Sequence, residues 1–489
     1  MQHSRLDKLG ALLEIGKSLA SERDLEKLLT MILNDVTQLT DADRSSLLLT
    51  DRENNQIWSL IAQGLDKREI RIPITTGIAG HVATTGEVVN VPDAYEDPRF
   101  NPEVDQQTGY RTGSMLCAPM VNREGEVIGV IQVLNKLSGI FQEEDEEILL
   151  AFAGQAAVAV DNAFLYKQIQ QIMESFISAS VYAIESRDPA TSGHSARVAD
   201  MAENLAMDTN RVHKGPLANV NFTPEQLREL RYAALLHDFG KISVRESVLL
   251  KANKLHEHEL ENLIVRFKLI RRAIESECLK KRVELIESGS VEEEPELIEK
   301  LNHEMKLQLE RLDDHFATLM ECNNPSLMTE GNFEKLKRIS QQSFVDFDGS
   351  HKPYITQYEF ESLSIRKGNL RTHERMEMES HLTQTVHFLE KIPWTPDLKD
   401  LVRIAGGHHE RLDGSGYPNS ITAEDIPYQT RILTIADIYD SLTSMDRPYK
   451  KALIPQKALE VLEIEANGGR IDTDILNVFV QAKVYEIKG

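Results

Sequence analysis

Residues 232–242 read YAALLHDFGKI, and this stretch decides the fold of the larger part of the chain. The apolar run Ala233, Ala234, Leu235 and Leu236 buries a helix, and His237 and Asp238 follow it directly into the same interior. A carboxylate and an imidazole are costly to bury unless they are paired or bound to metal. Lys241 stands one turn further on, on the same face, and could bring a positive charge to a phosphate. Residues 406–418 read GGHHERLDGSGYP. His408 and His409 cannot point the same way on a helix, but at about 100° apart both can reach a metal pair if they end the helix. The Gly/Pro-rich DGSGYP after them is a turn whose backbone can approach a ligand closely. Residues 431–451 read RILTIADIYDSLTSMDRPYKK, with Asp437 on an apolar helical face, Asp440 one turn on, and Arg447, Lys450 and Lys451 behind.

Two further histidines complete the set. His194 opens a helix in RDPATSGHSARVADMA, and His381 lies mid-helix in THERMEMESHLTQTVHFL, with His387 as its rival six residues on. Mixed His/Asp ligation suits Fe, Mn, Ni or Zn rather than Ca or Mg. Two such ions about 3.5–4 Å apart would bind two phosphate oxygens and supply a bridging hydroxide as nucleophile.

The composition is compatible with such a site. The chain has 489 residues with Lys plus Arg 55 and Asp plus Glu 78, a net charge of −23. About three domains are expected at that length. The acidic balance argues against a nucleic-acid polymer or an anionic membrane as partner. Cys117, Cys278 and Cys322 are scattered, with no CxxC pair, which favours a reducing compartment. The first residues are amphipathic and lack the apolar core of a signal peptide. The most apolar run, Ile148 to Val160, is too short to span a bilayer. A cytoplasmic protein is expected.

Residues 1–165 read as one α/β domain. A helix carries Leu6, Leu9, Leu12, Leu13 and Ile15, and a second begins at Ser21 or Asp24. The strand-like pieces SSLLLTD, NQIWSLIA, EIRIPI, VVNVPD, GSMLCAPMV and EVIGVIQVLNK follow, separated by turn residues such as Asn54-Asn55 and Glu124-Gly125. An antiparallel sheet with helices on one face is expected. Residues 143–186 read as a long helix, either a connector that joins two copies in parallel or, over its first half, a cap on the first domain. From about 170 the chain is helical throughout. Within it, residues 256–345 carry two apolar stripes in steps of three and four, Leu260 to Ile270 and Ile298 to Leu319. They read as an antiparallel helical hairpin inserted into the second domain, 175–465, with a helical tail over 466–489.

HDFGK, then HHERLDGSGYP, then ADIYDSLTSMDRPY, in that order, resemble the HD-GYP subgroup of the HD phosphohydrolases. The resemblance implies an all-α domain that hydrolyses cyclic di-GMP to pGpG, with GMP after a second round. It implies a metal set of His194, His237, Asp238, His381, His408, His409 and Asp437 around two transition ions, Fe or Mn first, Ni or Zn next. A third ion would use Glu185, since Pro189 and Ala190 stand immediately before TSGH where some members place an acid. Asp238 and Lys241 would be catalytic, Lys241 also meeting a phosphate oxygen. Arg411, Asp413, Gly416, Tyr417, Pro418, Arg447 and Lys450 would line the substrate. The other class of reading is a receptor that binds the messenger with little turnover; a third keeps the enzyme and changes the substrate to cyclic GMP-AMP.

GIAGHVATTGEVVNVPDAYEDPRFN and NKLSGIFQEEDEE make the first 165 residues similar to a GAF domain. Asn135, Lys136, Phe141, Asp145 and Glu146 match the signature of its cyclic-nucleotide-binding members. The resemblance implies a cyclic nucleotide or another small molecule in that pocket, with a Lys136–Asp145 ion pair acting structurally. The whole is then α+β: a GAF domain followed by an all-α HD-type domain carrying the helical hairpin, assembled as a homodimer.

Overall fold

A computed structural model describes residues 14–19, 21–22, 24–59, 70–188, 192–287, 294–325, 327–444 and 452–486. The chain divides into two units, Met1–Ser175 and Phe176–Gly489.

The first unit opens on α1, Leu25–Leu39. Asp24 caps it: its carboxylate accepts from the Lys27 amide at 2.9 Å, and Leu28, Leu29, Ile32, Leu33 and Val36 form its buried stripe. Of the helix expected around Leu6 to Ile15, residues 1–13 lie outside the described residues, and 14–19 are helical. Six strands follow: β1 Ala42–Asp51, β2 Gln56–Ser59, β3 Ile70–Pro73, β4 Val89–Val91, β5 Met115–Val121 and β6 Val127–Lys136. They form one antiparallel sheet in the order β3-β2-β1-β6-β5-β4. Helix α2, Gly77–Thr85, and the short α3, Glu103–Thr108, connect them.

The sheet is covered on both faces, not on one as the strand pattern alone suggests. Leu47, Leu49, Leu116, Ala118, Ile131 and Val133 meet α1 and residues 149–163 of the long helix. Leu48, Met115, Cys117 and Val130 face the other way and meet Ile78 and Val82 of α2. Side chains alternate faces along a strand. The continuous apolar run in β5 is therefore the mark of a doubly buried strand.

The long helix is α4, Glu143–Glu185. By length and composition it could cross a bilayer. Its most apolar part, including Leu149, Phe152, Ala156, Val160 and Ala163, is instead buried in the core of the first unit.

In the second unit, α5 His194–Thr209, α6 Pro224–Leu236, α12 His381–Leu389, α13 Leu401–Gly406 and α14 Tyr428–Thr443 pack on one another. Between α6 and α12 come α7 Glu257–Glu287, α8 Glu294–Asn323, α9 Glu330–Ser340, a β7–β8 hairpin (Ser343–Val345 with His351–Pro353), α10 Gln357–Leu363 and α11 Thr372–Glu379. The inserted region is therefore more than a helical pair, and two short strands break the all-helical pattern. It has its own core, with Leu263, Phe267, Ile270, Leu312, Leu319, Leu336 and Leu363 all buried. Its two ends are held together by buried ion pairs. Lys251 meets Glu374 at 2.6 Å, and Arg371 meets Glu259 at 2.7 Å. Helix α15, Pro455–Asn467, closes the second domain, and the tail forms α16, Thr473–Gln481, with Phe479 buried.

Candidate metal centre

The HD pair sits at the end of a helix rather than within one. Helix α6 starts at a capping box between Thr223 and Gln226, ends at Leu236, and His237 is its C-cap. The chain then tightens into a 3-10 turn, Phe239–Ser243. Gly240 explains the tightness. A side chain there would stand 1.8 Å from the His381 carbonyl oxygen and 2.6 Å from the Thr385 amide. The first turn of α12 thus lies against the HD turn, and Gly240 donates to Thr385 Oγ1 at 2.8 Å while that hydroxyl donates to the His237 carbonyl at 3.1 Å. His381 is consequently the first residue of α12, with Ser380 ending α11, and not mid-helix. His387 is exposed and away from the site.

His194 is the first residue of α5, and His408 and His409 follow the last turn of α13. Asp437 lies in the buried face of α14. These residues gather at one centre. Three overlapping groups, His194/His237/Asp238, His237/His408/Asp437 and His381/His408/His409, each place one donor atom per residue within 4.8 Å of the others. Asp238 spans the centre. Its Oδ2 lies 3.5 Å from His237 Nε2 and 3.8 Å from His194 Nε2, while its Oδ1 lies 3.5 Å from His381 Nε2. Asp437 Oδ1 is 3.3 Å from His194 Nε2 and 3.7 Å from His237 Nε2.

The outward nitrogens explain which nitrogens face inward. Nδ1 of His237, His381 and His408 lies 2.6–2.7 Å from the carbonyl oxygens of Ala234, Met378 and Ala405, three residues earlier in each case. A carbonyl only accepts, so Nδ1 carries the proton and Nε2 presents a lone pair. The Nε2 atoms of all three are buried and have no hydrogen-bond partner. A buried polar atom without a partner costs about 1–3 kcal/mol. Three in one place, beside two carboxylates, fit a transition cation.

The charges agree with that donor set. Burial pulls the His381 and His408 imidazoles down, and takes His409 to about 4, so all three are neutral ligands near pH 7. Burial also acts on Asp238, but Lys241 and the surrounding histidines outweigh it and hold the carboxyl well below its usual range. Lys241 Nζ donates to Asp238 Oδ2 at 2.6 Å, and that contact raises the ammonium against the effect of its own burial. His194 differs. Burial lowers it, but hydrogen bonds to Asp437 and Asp440 overcome this and lift it to about 9 in the metal-free chain.

The other expected residues fall in several places. Gly416 is buried, and a side chain there would meet the Arg411 amide at 2.4 Å. Tyr417 stacks near His409 with ring centroids 5.0 Å apart, and burial raises its hydroxyl. Pro418 follows in a cis peptide at the exposed rim. Arg411 and Asp413 are exposed, and Asp413 is occupied in its own turn, accepting from the Ser415 amide at 2.9 Å. Glu185 is not in any of the three groups among the described residues; one oxygen accepts from the Gly193 amide at 3.0 Å, and the other is buried without a partner. Arg447 and Lys450 lie outside the described residues.

Two acids were not read as part of the site. Glu410 is buried beneath the turn and accepts from the Asn419 amide at 2.7 Å and the Ile421 amide at 3.2 Å. Its place directly after His409 was the available signal. Asp440, read only as one turn on from Asp437, accepts at His194 Nδ1 at 2.7 Å.

A GAF domain family model matches residues 24–160, and two HD domain models match residues 191–313 and 359–475, the first running well into the insertion. The chain joins a GAF domain to an HD domain. It is 38% identical over 183 residues to the dual 3',5'-cyclic-AMP and -GMP phosphodiesterase 11 of Drosophila melanogaster, covering 34% of this chain and 13% of that one. It is 38% identical over 167 residues to dual phosphodiesterase 11A of Takifugu rubripes, covering 32% and 18%. The chain thus spans less than a fifth of the length of either curated relative. Among solved structures, it is similar to the GAF domain of a phosphoenolpyruvate-protein phosphotransferase from Coxiella burnetii, at 23% identity over 33% of this chain and 98% of that one, TM-score 0.31.

In the GAF domain the signature residues form a closed set. Lys136 Nζ pairs with Asp145 Oδ2, which also accepts from the Gln142 amide at 2.8 Å. Phe141 is buried in the core. Asn135 accepts from the Gly113 amide at 2.6 Å and donates to the Arg111 carbonyl at 2.9 Å, and Glu146 accepts from Asn90 at 2.8 Å.

Proposed function

We propose that the HD domain is a metal-dependent phosphodiesterase of the HD-GYP type, hydrolysing cyclic di-GMP to pGpG, with GMP after a second round. The observation that carries this reading is the convergence of His194, His237, Asp238, His381, His408, His409 and Asp437, with three unpartnered Nε2 atoms, at one centre. His194, His237, Asp238 and Asp437 would hold one transition ion, and His381, His408, His409 and the second oxygen of Asp238 the other. Fe or Mn is the first choice, Ni or Zn the next, and Glu185 is the candidate for a third. Bound there, the ions supply Lewis acidity and an activated water.

The chain's own residues do the rest. Lys241, already beside Asp238, carries the positive charge that compensates the phosphate oxygens in the transition state. Tyr417 presents a wall to a base from the turn that Glu410 pins. Arg447 and Lys450 would meet the second phosphate. The net charge of −23 is no obstacle when the local field comes from metal, Lys241 and Arg411.

We read the GAF domain as a sensor for a cyclic nucleotide or another small molecule, and the protein as a cytoplasmic homodimer joined along α4. Leu165, Ile169, Ile172 and Phe176 of that helix are exposed and recur in steps of four and three, with Asn162 one step before. A rise or fall in turnover on adding cyclic nucleotide, lost on deleting the GAF domain, supports the sensor; equal turnover at every ligand level counts against it.

The curated relatives favour a second substrate class, cyclic AMP or cyclic GMP, although the match covers about a third of this chain. Cyclic GMP-AMP is a third. The test is elemental analysis of anaerobically purified protein beside turnover assays on these cyclic nucleotides. Metal-replete protein that forms pGpG supports the proposal. Tight binding of cyclic di-GMP with no product makes the protein a receptor instead, and product from cyclic AMP or cyclic GMP alone moves the substrate.

A further inference from the structure

Three of the cage imidazoles are gripped by the backbone carbonyl three residues earlier, but His194, the first residue of α5, meets a carboxylate at Nδ1 instead. A side-chain square takes its place. His194 and Arg197 are one turn apart on α5, and Asp437 and Asp440 are one turn apart on α14. Asp440 Oδ2 meets His194 Nδ1 at 2.7 Å while Asp437 Oδ1 lies 3.3 Å from Nε2 of the same ring. One helix therefore holds the ring at both nitrogens. Arg197 closes the square, with Nε 2.7 Å from Asp440 Oδ1 and Nη2 3.0 Å from Oδ2. The same Nη2 reaches Ser444 Oγ at 3.1 Å, and Nη1 reaches the Ser192 carbonyl at 3.2 Å. Asp440 is buried.

A carbonyl and a carboxylate orient an imidazole equally well, but they do not polarise it equally. A carboxylate on Nδ1–H pushes electron density toward Nε2 and strengthens it as a ligand. His237, His381 and His408 have only the neutral partner. We propose that Asp440, held by Arg197, is a positioning residue that makes the metal position at His194 the tighter of the two. This rests on the metal-centre reading above and adds an order of affinity that the ligand set alone does not give.

The test is a titration of the full-length, metal-stripped chain with Mn²⁺ by calorimetry, with elemental analysis after dialysis. The wild type is expected to take up two ions of unequal affinity. Asp440→Ala should weaken the tighter event about 10- to 100-fold and leave the weaker one in place. Asp440→Asn offers an amide oxygen to Nδ1–H, so it restores orientation without charge and should fall between the two. Because it is close in shape, it keeps the test valid if Asp440→Ala fails to fold by circular dichroism. Two ions at wild-type affinities in both variants, or equal weakening of both events, overturn the proposal while leaving the metal centre standing. A wild-type chain that binds no Mn²⁺ overturns both.

Discussion

Each domain buries a lysine–aspartate pair, and the two pairs have opposite surroundings. In the GAF domain, Asp145 meets Lys136 and the Gln142 amide, and neighbouring Asn135 and Glu146 also have partners. In the HD domain, Asp238 meets Lys241 and is otherwise faced by imidazole nitrogens at 3.5–3.8 Å, beyond hydrogen-bond distance. The first arrangement is complete as it stands. The second has buried lone pairs with nothing to accept. Fully partnered charge in a core is architecture, whereas unpartnered lone pairs that a fold retains mark a place for a ligand.

The largest effect should come from emptying the unpartnered centre. His237→Ala with Asp238→Ala removes two donors from the three overlapping groups. Turnover of the proposed substrate, cyclic di-GMP, should fall by at least about 10³-fold, and metal content should drop with it. The GAF domain should remain folded, as read from Trp58 fluorescence in a Trp394→Phe background. Turnover at the wild-type rate would break the comparison at its functional end.

The converse substitution should strike stability and spare chemistry. Asp145→Ala leaves the half-buried Lys136 ammonium and the Gln142 amide without their acceptor. Leaving such groups unsatisfied costs about 1–3 kcal/mol. Urea unfolding followed at Trp58 should shift by that amount, while metal content of the HD domain stays at the wild-type value. Loss of metal without loss of stability would reverse the roles assigned to the two pairs.

The root of the insertion offers an intermediate case, closed like the first pair but set seven residues before His381. Glu374 accepts from Lys251 at 2.6 Å, from the Arg371 amide at 2.8 Å and from His256 Nε2 at 2.7 Å. Burial alone would raise this carboxyl, but those donors bring it down to about 2. Burial also lowers Lys251, against the pull of both carboxylate oxygens in reach. A carboxyl lowered in the folded state stabilises above its unfolded value, near 4.5, and that stabilisation is lost as pH falls toward 2. About 3 kcal/mol is at stake over that window. Unfolding followed at Trp394, in a Trp58→Phe background, should show a steeper acid loss in wild type than in Glu374→Gln. Identical slopes would remove Glu374 from the set of ionised clamps.

Much of this was legible in the sequence, and the misses share a cause. The strands, their antiparallel sense and the long helix follow from alternation, turn residues and an uninterrupted helical run. The cage residues are legible because buried His and Asp have few other uses. What the pattern hides is contact between distant segments. The continuous apolar run of β5 marks a strand buried on both faces, but it does not say which element covers the second face, so α2 there is not legible. Asp440 looks like any helix acid until His194, 246 positions away, is placed against it. The insertion's clamps pair residues more than a hundred positions apart, and no local period announces them.

The smallest expected effect separates two histidines that the sequence places six residues apart. Within one continuous helix, neither position has an evident advantage as a ligand. The chain instead ends α11 at Ser380 and starts α12 at His381, because Gly240 lets the HD turn press against that junction. His381 is thereby carried to the centre with its Nδ1 on the Met378 carbonyl, and His387 is turned outward to solvent. His387→Ala should leave metal content unchanged and stability within about 0.5 kcal/mol. His381→Ala should lose the ion on its side. Equal loss in both variants would mean that the junction, and with it the approach of α12 to Asp238, is wrongly drawn.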